Sequence, residues 1–477
     1  MSRVQLTLVV IPLLLGLAWA QLYDHVTITA DSLAGQFAPL SDCIENELGL
    51  TDTVVTVEAI EASFPGRDMP EKIRNFIRHA YDNWLTMYVL LGGDVEIVPP
   101  RYAWADCNNG LEPVPSDLYY SALDGDWDAD GDSRFGEVED SVDLYPDVFV
   151  GRCPGTTGAS VAIVVDKFVT YVTNPQAPYL SSVFLNGFDL YPWCLAEEAM
   201  EYYDSTFVPA AMKPCAKVYD SHTGDHRSAM LALLNDGQHL WIHSDHSNWN
   251  CMGAGWTNHG ALLYREDFDG LTNQDRLTIL MTNGCSAGAF DSTDCIVEHF
   301  MLAPNGGGVA AFANTRTGLL DASKPLHGQS FMQLEGLLQV WFGNPKHASL
   351  ADLALVQAQV APLAAASARY RWTHYIFALS GDPAMPVWLP SASGAEEGGQ
   401  PAACGSRLTA TVVRGVLRMI GGPSASSGPS WLLDAVGRRV TKLTPGENDV
   451  SHLAPGVYFV RARADEWAGA SRIVITR

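Results

Sequence analysis

The chain has 477 residues, and its 54 acidic side chains outnumber 29 basic ones, leaving a formal net charge of −25. That length is enough for a large buried core and more than one domain. A surplus of that sign repels phosphate backbones and argues against nucleic acid as a partner.

Arg3, the apolar run Val4 to Leu17 and the small-x-small triplet Ala18-Trp19-Ala20 read as a secretory signal peptide over 1–20, with mature chain from near Gln21. A retained anchor would need about 20 apolar residues, and no later run is that long. The expectation is a secreted or cell-surface protein without a membrane span in its mature chain. Nine cysteines, an odd number, leave at least one thiol unpaired or bonded to another chain.

Val26 to Ala30 and Val54 to Ala59 read as strands. Ile73, Phe76, Ile77, Ala80 and Trp84 recur at helical spacing, and Asp68 with Glu71 makes a capping-box pattern, predicting a helix from Asp68 to Trp84. Met87 to Leu91 is a buried-strand run stopped by Gly92-Gly93. Between Asp124 and Asp147 lie ten acidic residues and one basic one, Arg134. Within that segment Asp126, Asp128, Asp130, Asp132 and Glu137 fit the twelve-residue calcium-loop pattern, with Gly131 at its sixth position. The flank Leu118 to Leu123 reads as extended, so this is not an EF-hand. Carboxylates packed so closely repel unless a cation neutralises them, and a structural calcium ion is the expected cofactor; a solvated acidic loop is the alternative.

Strand-like runs follow at Val148–Val150, Val183–Leu185, Leu240–Ile242, Leu277–Met281 and Val309–Phe312. Helical stretches at Val161–Val172, Cys194–Tyr203, Asp294–Met301 and Leu350–Ala365 separate them. The alternation predicts an α/β fold around a mostly parallel sheet with flanking helices. Residues 391–405, rich in Ser, Gly, Ala and Pro, read as a linker. Period-two strands in 406–477 then predict a small C-terminal all-β sandwich. The remaining length divides into an N-terminal α/β subdomain over 21–153 and a second over 154–390.

Two loops carry the chemistry. One runs from His243 through His246 to Asn248, after the strand Leu240–Ile242; the other runs from Asn283 through Cys285 to Gly288, after Leu277–Met281. Ligands of open α/β sheets bind beyond the carboxyl ends of strands, so both side chains can reach one rim. There an imidazole can stabilise a thiolate and protonate a leaving amine. On residue type alone Cys285 is more often a packed thiol, and His243 with His246 could join Cys251 or His259 in a zinc site.

An ordered series of motifs bears on this choice. It comprises Lys72–Ile77, Leu90–Asp94 with Pro99–Arg101, Ser116–Tyr120, the acidic segment, Pro146–Arg152, the two loops, Phe290-Asp291, Cys295–Glu298 and Gly381–Pro383. From about Tyr23 to Pro390 the chain resembles the gingipain family of cysteine peptidases, which share a caspase-like fold. The resemblance implies an exported cysteine endopeptidase acting on protein or peptide substrates, without organic cofactor. Cys285 would be the nucleophile, His246 its proton-transfer partner, and the backbone N–H groups of Ser247 and Cys285 the oxyanion donors. Ser116–Tyr120 resembles the stretch whose aspartate, in arginine-specific members, lies at the base of the specificity pocket, which implies a substrate-binding role for Asp117 and cleavage after arginine. Asp245 stands where the family usually has glycine. A carboxylate there could restrict the loop or raise the imidazole pKa, which leaves a catalytically inactive surface protein as one rival reading; a zinc hydrolase using His243 and His246 is the other. Leu433–Val440, Leu453–Val460 and Ser471–Arg477 resemble sorting domains of bacterial type IX secretion, implying the secretion machinery as a partner.

Overall fold

The computed structural model describes residues 22–390, save 109, 141, 177, 254–261 and 325, and short segments between 412 and 476. The signal peptide expected over 1–20 and the linker expected over 391–405 lie outside the described residues.

Ten strands form the main sheet: β1 His25–Thr29, β2 Asp52–Thr56, β3 Tyr88–Gly92, β4 Phe149–Cys153, β5 Val183–Gly187, β6 Ala216–Tyr219, β7 Leu240–Ser244, β8 Thr278–Thr282, β9 Gly308–Asn314 and β10 Phe377–Ser380. Their order is β6-β5-β7-β8-β9-β10-β4-β3-β1-β2. All neighbours pair in parallel except β9 with β10. Strand β10 runs antiparallel to β9 and parallel to β4, so the first half of the sheet runs opposite to the second. The carboxyl ends of β5, β7, β8 and β9 therefore share one rim, and those of β1 to β4 point the other way. Helices cover both faces, which is why β1, β5, β7, β8 and β9 are buried along their whole length. Fold class and strand alternation agree with the sequence reading.

Local chemistry sets the element ends. Asp68 caps the helix Met69–Trp84 by accepting the Glu71 N–H at 3.0 Å. The Glu71 carboxylate accepts from the Arg67 N–H at 2.7 Å, one residue before the cap, so half of the expected box is replaced. The strand expected over Val54–Ala59 stops at Thr56, whose hydroxyl accepts from the Ala59 N–H and starts a short helix, Val57–Ser63. Cys194-Leu195 pairs as a short strand before the helix Ala196–Thr206. Helices Ser330–Gly343 and Ala368–Ile376, and the seam strand β10, escaped the sequence reading.

Beyond residue 411, a five-stranded sheet and a two-stranded sheet share a core of Leu417, Leu432, Leu443, Val450, Tyr458, Ile473 and Ile475, a small all-β unit. Among the described residues no helix is long and apolar enough to cross a membrane.

Candidate active site

Strands β7 and β8 are neighbours, with His243 opposite Thr282. His246 and Cys285 each lie three residues beyond that pair, so the two loops leave the sheet side by side. The Ser247 hydroxyl donates to the Cys285 carbonyl at 2.8 Å and ties them together. A side chain on Gly284 would put Cβ 2.2 Å from the Ser247 Oγ, so this contact requires glycine before Cys285. The Thr282 hydroxyl accepts the Gly284 N–H at 3.0 Å and shapes the turn. Ser286 takes a left-handed φ of 53° while donating its N–H to the Arg316 carbonyl, and Arg316 grips Asp291 with two hydrogen bonds of 2.8 and 2.6 Å. The Cys285 loop is thus held at both ends, with its one strained residue beside the thiol.

Cys285 and His246 line one cleft of about 440 Å3, with Asp245, Asn283, Leu190, Tyr191, Trp193, the segment Thr317–Leu320 and Arg369 among its walls. Cys285 is half-buried. Burial pushes its thiol up, opposed by the backbone amides of Gly318 and of Cys285 itself. His246 Nε2 lies 2.9 Å from the Leu190 carbonyl. A carbonyl can only accept, so Nε2 carries the proton and the Nδ1 lone pair is left for exchange. The Tyr191 ring packs edge-on against the imidazole at 5.7 Å. Among the described residues the N–H groups of Ser247 and Cys285 donate to no backbone carbonyl.

The other expected residues separate sharply. His243 is fully buried, with Nδ1 2.8 Å from the Thr282 hydroxyl, and burial lowers its pKa to about 3. It is a neutral core residue, and among the described residues it joins no metal-binding group, so His243, His246 and Cys251 form no zinc site there. His259 lies outside those residues. Asp245 accepts the N–H of His246 at 2.5 Å, so its carboxylate caps the loop.

Asp117 does not line the cleft. Its two oxygens accept from Arg152 Nε and Nη2 at 3.0 and 2.7 Å, and both side chains are nearly inaccessible. The expected substrate contact is corrected: a fork-to-fork pair on β4 consumes the carboxylate. Arg152 also donates to the carbonyls of Gly93 and Val98, fastening the turn after β3.

In the acidic segment, carboxylate oxygens of Asp130, Asp132 and Glu137 gather within 4.8 Å of one another, and those of Asp128, Asp130 and Asp140 form a second group. Asp126, first in the expected ring, belongs to neither. It accepts the Asp128 N–H at 3.1 Å, and Asp140, which the sequence pattern omits, takes the N–H groups of Ala129 and Gly136. Asp128 is engaged by Arg67 and by the Ser133 N–H. Glu137 Oε2 is buried and accepts nothing, an orphaned oxygen facing a cluster of like charge, which a cation would satisfy.

Residue identity alone could not reveal the Leu190 carbonyl, because any residue supplies one. Asp94, Asp294 and Glu298 form a further carboxylate group, where burial, with Asp94 adding to it, pushes Glu298 up to about 8.

A half-buried thiol and a tautomer-fixed imidazole lining one cleft at the carboxyl rim of a mostly parallel sheet are the groups that cysteine-dependent hydrolysis needs. The family model of peptidase family C25 matches residues 19–388. The chain belongs to that family and is a cysteine endopeptidase, as the gingipain resemblance implied. Among solved structures it is similar to the complex of the pro- and mature domains of RgpB from Porphyromonas gingivalis (15% identity, 94% of this chain and 99% of that one, TM-score 0.60). It is likewise similar to the Arg-specific cysteine proteinase gingipain R (16% identity, 95% and 98%, TM-score 0.60). At such identities the likeness is one of fold. No curated protein sequence matches the chain.

Proposed function

We propose that the chain cleaves peptide bonds with Cys285 as nucleophile and His246 as its proton carrier. The observation that carries this reading is the hydrogen bond from His246 Nε2 to the Leu190 carbonyl, which leaves Nδ1 as the exchanging atom in a cleft shared with the thiol. The Cys285 proton passes to Nδ1 and sulfur bonds to the scissile carbonyl carbon. The N–H groups of Ser247 and Cys285 hold the resulting oxyanion. On collapse the C–N bond breaks, His246 gives its proton to the leaving amine, and water releases the acyl group with proton transfer back through the imidazole. A thiol-reactive peptide probe on the purified chain, followed by peptide mapping, tests this reading: label is expected on Cys285, and label confined to any other cysteine would refute it.

The arginine preference inferred from Asp117 has lost its physical support, because that carboxylate is satisfied by Arg152. In the acidic segment the donor set is all oxygen, and the orphaned Glu137 Oε2 fits a hard cation. Asp130, Asp132 and Glu137 would hold calcium, with Asp128 and Asp140 bracing the loop. Its contribution would be structural, neutralising charge where the segment packs through Trp127 on Tyr375. Export through residues 1–20, delivery through the C-terminal unit by a secretion machinery, and a secreted or surface location complete the proposal; the motifs at Leu433, Leu453 and Ser471 support it.

A further inference from the structure

The cleft that holds Cys285 has one cationic side chain among its lining residues, Arg369, and one anionic, Asp245. Asp245 is buried and spends an oxygen on its neighbour's N–H. Arg369 is placed differently. It stands at the start of the helix Ala368–Ile376, half-buried, with Nη2 donating to the Leu320 carbonyl at 2.7 Å and to Gln329 Oε1 at 3.1 Å. Both acceptors are neutral, so they orient the guanidinium without neutralising it. Among the described residues it forms no ion pair; Asp321, exposed nearby, feels its charge without pairing.

The support beneath Arg369 is built rather than incidental. Gln329 is buried and sits at a left-handed φ of 51°, a cost that a disposable surface contact would not sustain. Ser330, which follows it, lines the same cleft and opens a fourteen-residue helix, whose positive end borders the space. Tyr191 and Trp193 also line the cleft, stacked 5.1 Å apart with planes 3° from parallel and Trp193 largely exposed. The cleft therefore offers aromatic faces and one oriented cation, without an ion-pair partner among the described residues, in the space that Cys285 also lines.

We infer that Arg369 is a specificity-determining residue that pairs with an acidic side chain, aspartate or glutamate, in a substrate residue adjoining the scissile bond. The inference rests on the peptidase reading of Cys285. Both Nη2 hydrogens are spent on Leu320 and Gln329, so a substrate carboxylate would be held by the guanidinium charge and a charge-assisted hydrogen bond from Nε or Nη1, and a site built for a charged group rejects substrates that leave it unpaired. A basic side chain at that subsite would meet like charge. The net charge of −25 slows the approach of acidic peptides, but screening confines that repulsion to about 8 Å at physiological ionic strength, so the local cation governs the bound state.

The test is a set of thiol-reactive and fluorogenic peptides carrying Asp, Asn or Arg in turn at each position flanking the reactive carbonyl. Wild type is expected to favour Asp over Asn at one position by about 10- to 100-fold in kcat/KM or labelling rate. Arg369→Gln should bring that ratio near one, and Arg369→Glu should shift preference towards Arg. A purely structural role in holding Leu320 and Gln329 would depress all substrates together and leave the ratio intact. Cys285 labelling without an acidic preference, or a ratio unchanged in Arg369→Gln, overturns this proposal alone. Failure of every probe to label Cys285 overturns the peptidase site and this inference with it.

Discussion

At the scale of single residues, similar chemistry separates by surroundings. His243 and His246 are three apart in sequence, yet one is sealed among β-strands as a neutral base and the other is open to a cleft. Cys285→Ala should abolish turnover, since the acyl-enzyme route disappears. His246→Ala should be nearly as severe, while His243→Ala should lower the melting temperature more than kcat. Active-site titration beside calorimetry separates these outcomes, and unchanged turnover in Cys285→Ala would end the assignment. Asp117 makes the complementary case. Removing one partner of a buried charge pair costs roughly 3–5 kcal/mol, so Asp117→Ala should lose stability by that order in a denaturant titration without a selective loss of basic substrates. A selective loss would return Asp117 to the substrate site.

At the scale of elements, a buried polar cluster ties β1 to β2 and to the turn after β10. His25, at the start of β1, is fully buried with Nδ1 2.6 Å from Asp52 and Nε2 3.3 Å from Asp382, which follows the seam strand β10. Burial alone would lower its pKa; Asp382 and Asp52 outweigh it and raise the value to about 10. A histidine whose folded value exceeds its unfolded value of about 6.5 contributes stability that is complete below pH 6.5 and is lost as pH rises towards 10. The melting temperature should therefore fall across that window, and His25→Gln should start lower with a flatter alkaline limb. Equal slopes for the two proteins would rule out the clamp. The acidic segment supplies the second element test. Binding to the native state alone stabilises by roughly 2.7 kcal/mol at one hundred times the dissociation constant, so a calcium chelator should lower the melting point and calcium restore it. Asp130→Ala with Glu137→Ala should remove the response; a curve indifferent to calcium reduces the segment to a surface loop.

At the scale of the whole molecule, the helices cover one continuous sheet whose two halves run in opposite directions through β10. Among the described residues the cleft draws on loops of the second half, on the short Leu190–Trp193 stretch and on Arg369. Truncation after Pro390 should leave peptidase activity in place and, in a host with the matching export route, block surface delivery. Arrival of the shortened protein at the surface would refute the sorting role.

The sequence by itself determined what depends on local pattern. Apolar runs marked the strands, because a strand covered on both faces must be apolar throughout; Asp68 marked a helix start, because a carboxylate satisfies orphaned N–H groups; equal offsets after two strands put His246 and Cys285 on one rim. Sequence left Ser330–Gly343 and Ala368–Ile376 unseen, since helices buried on most sides lose the periodicity that identifies them. The tertiary structure alone decided the rest. The pairing of Asp117 with Arg152 joins residues 35 apart, the proton on His246 is fixed by a backbone carbonyl 56 residues away, and Arg369 reaches the cleft from a helix that follows Cys285 by more than eighty residues. Each is a contact between groups distant in the chain, and residue type states what a group can do, while only packing states which partner has already claimed it.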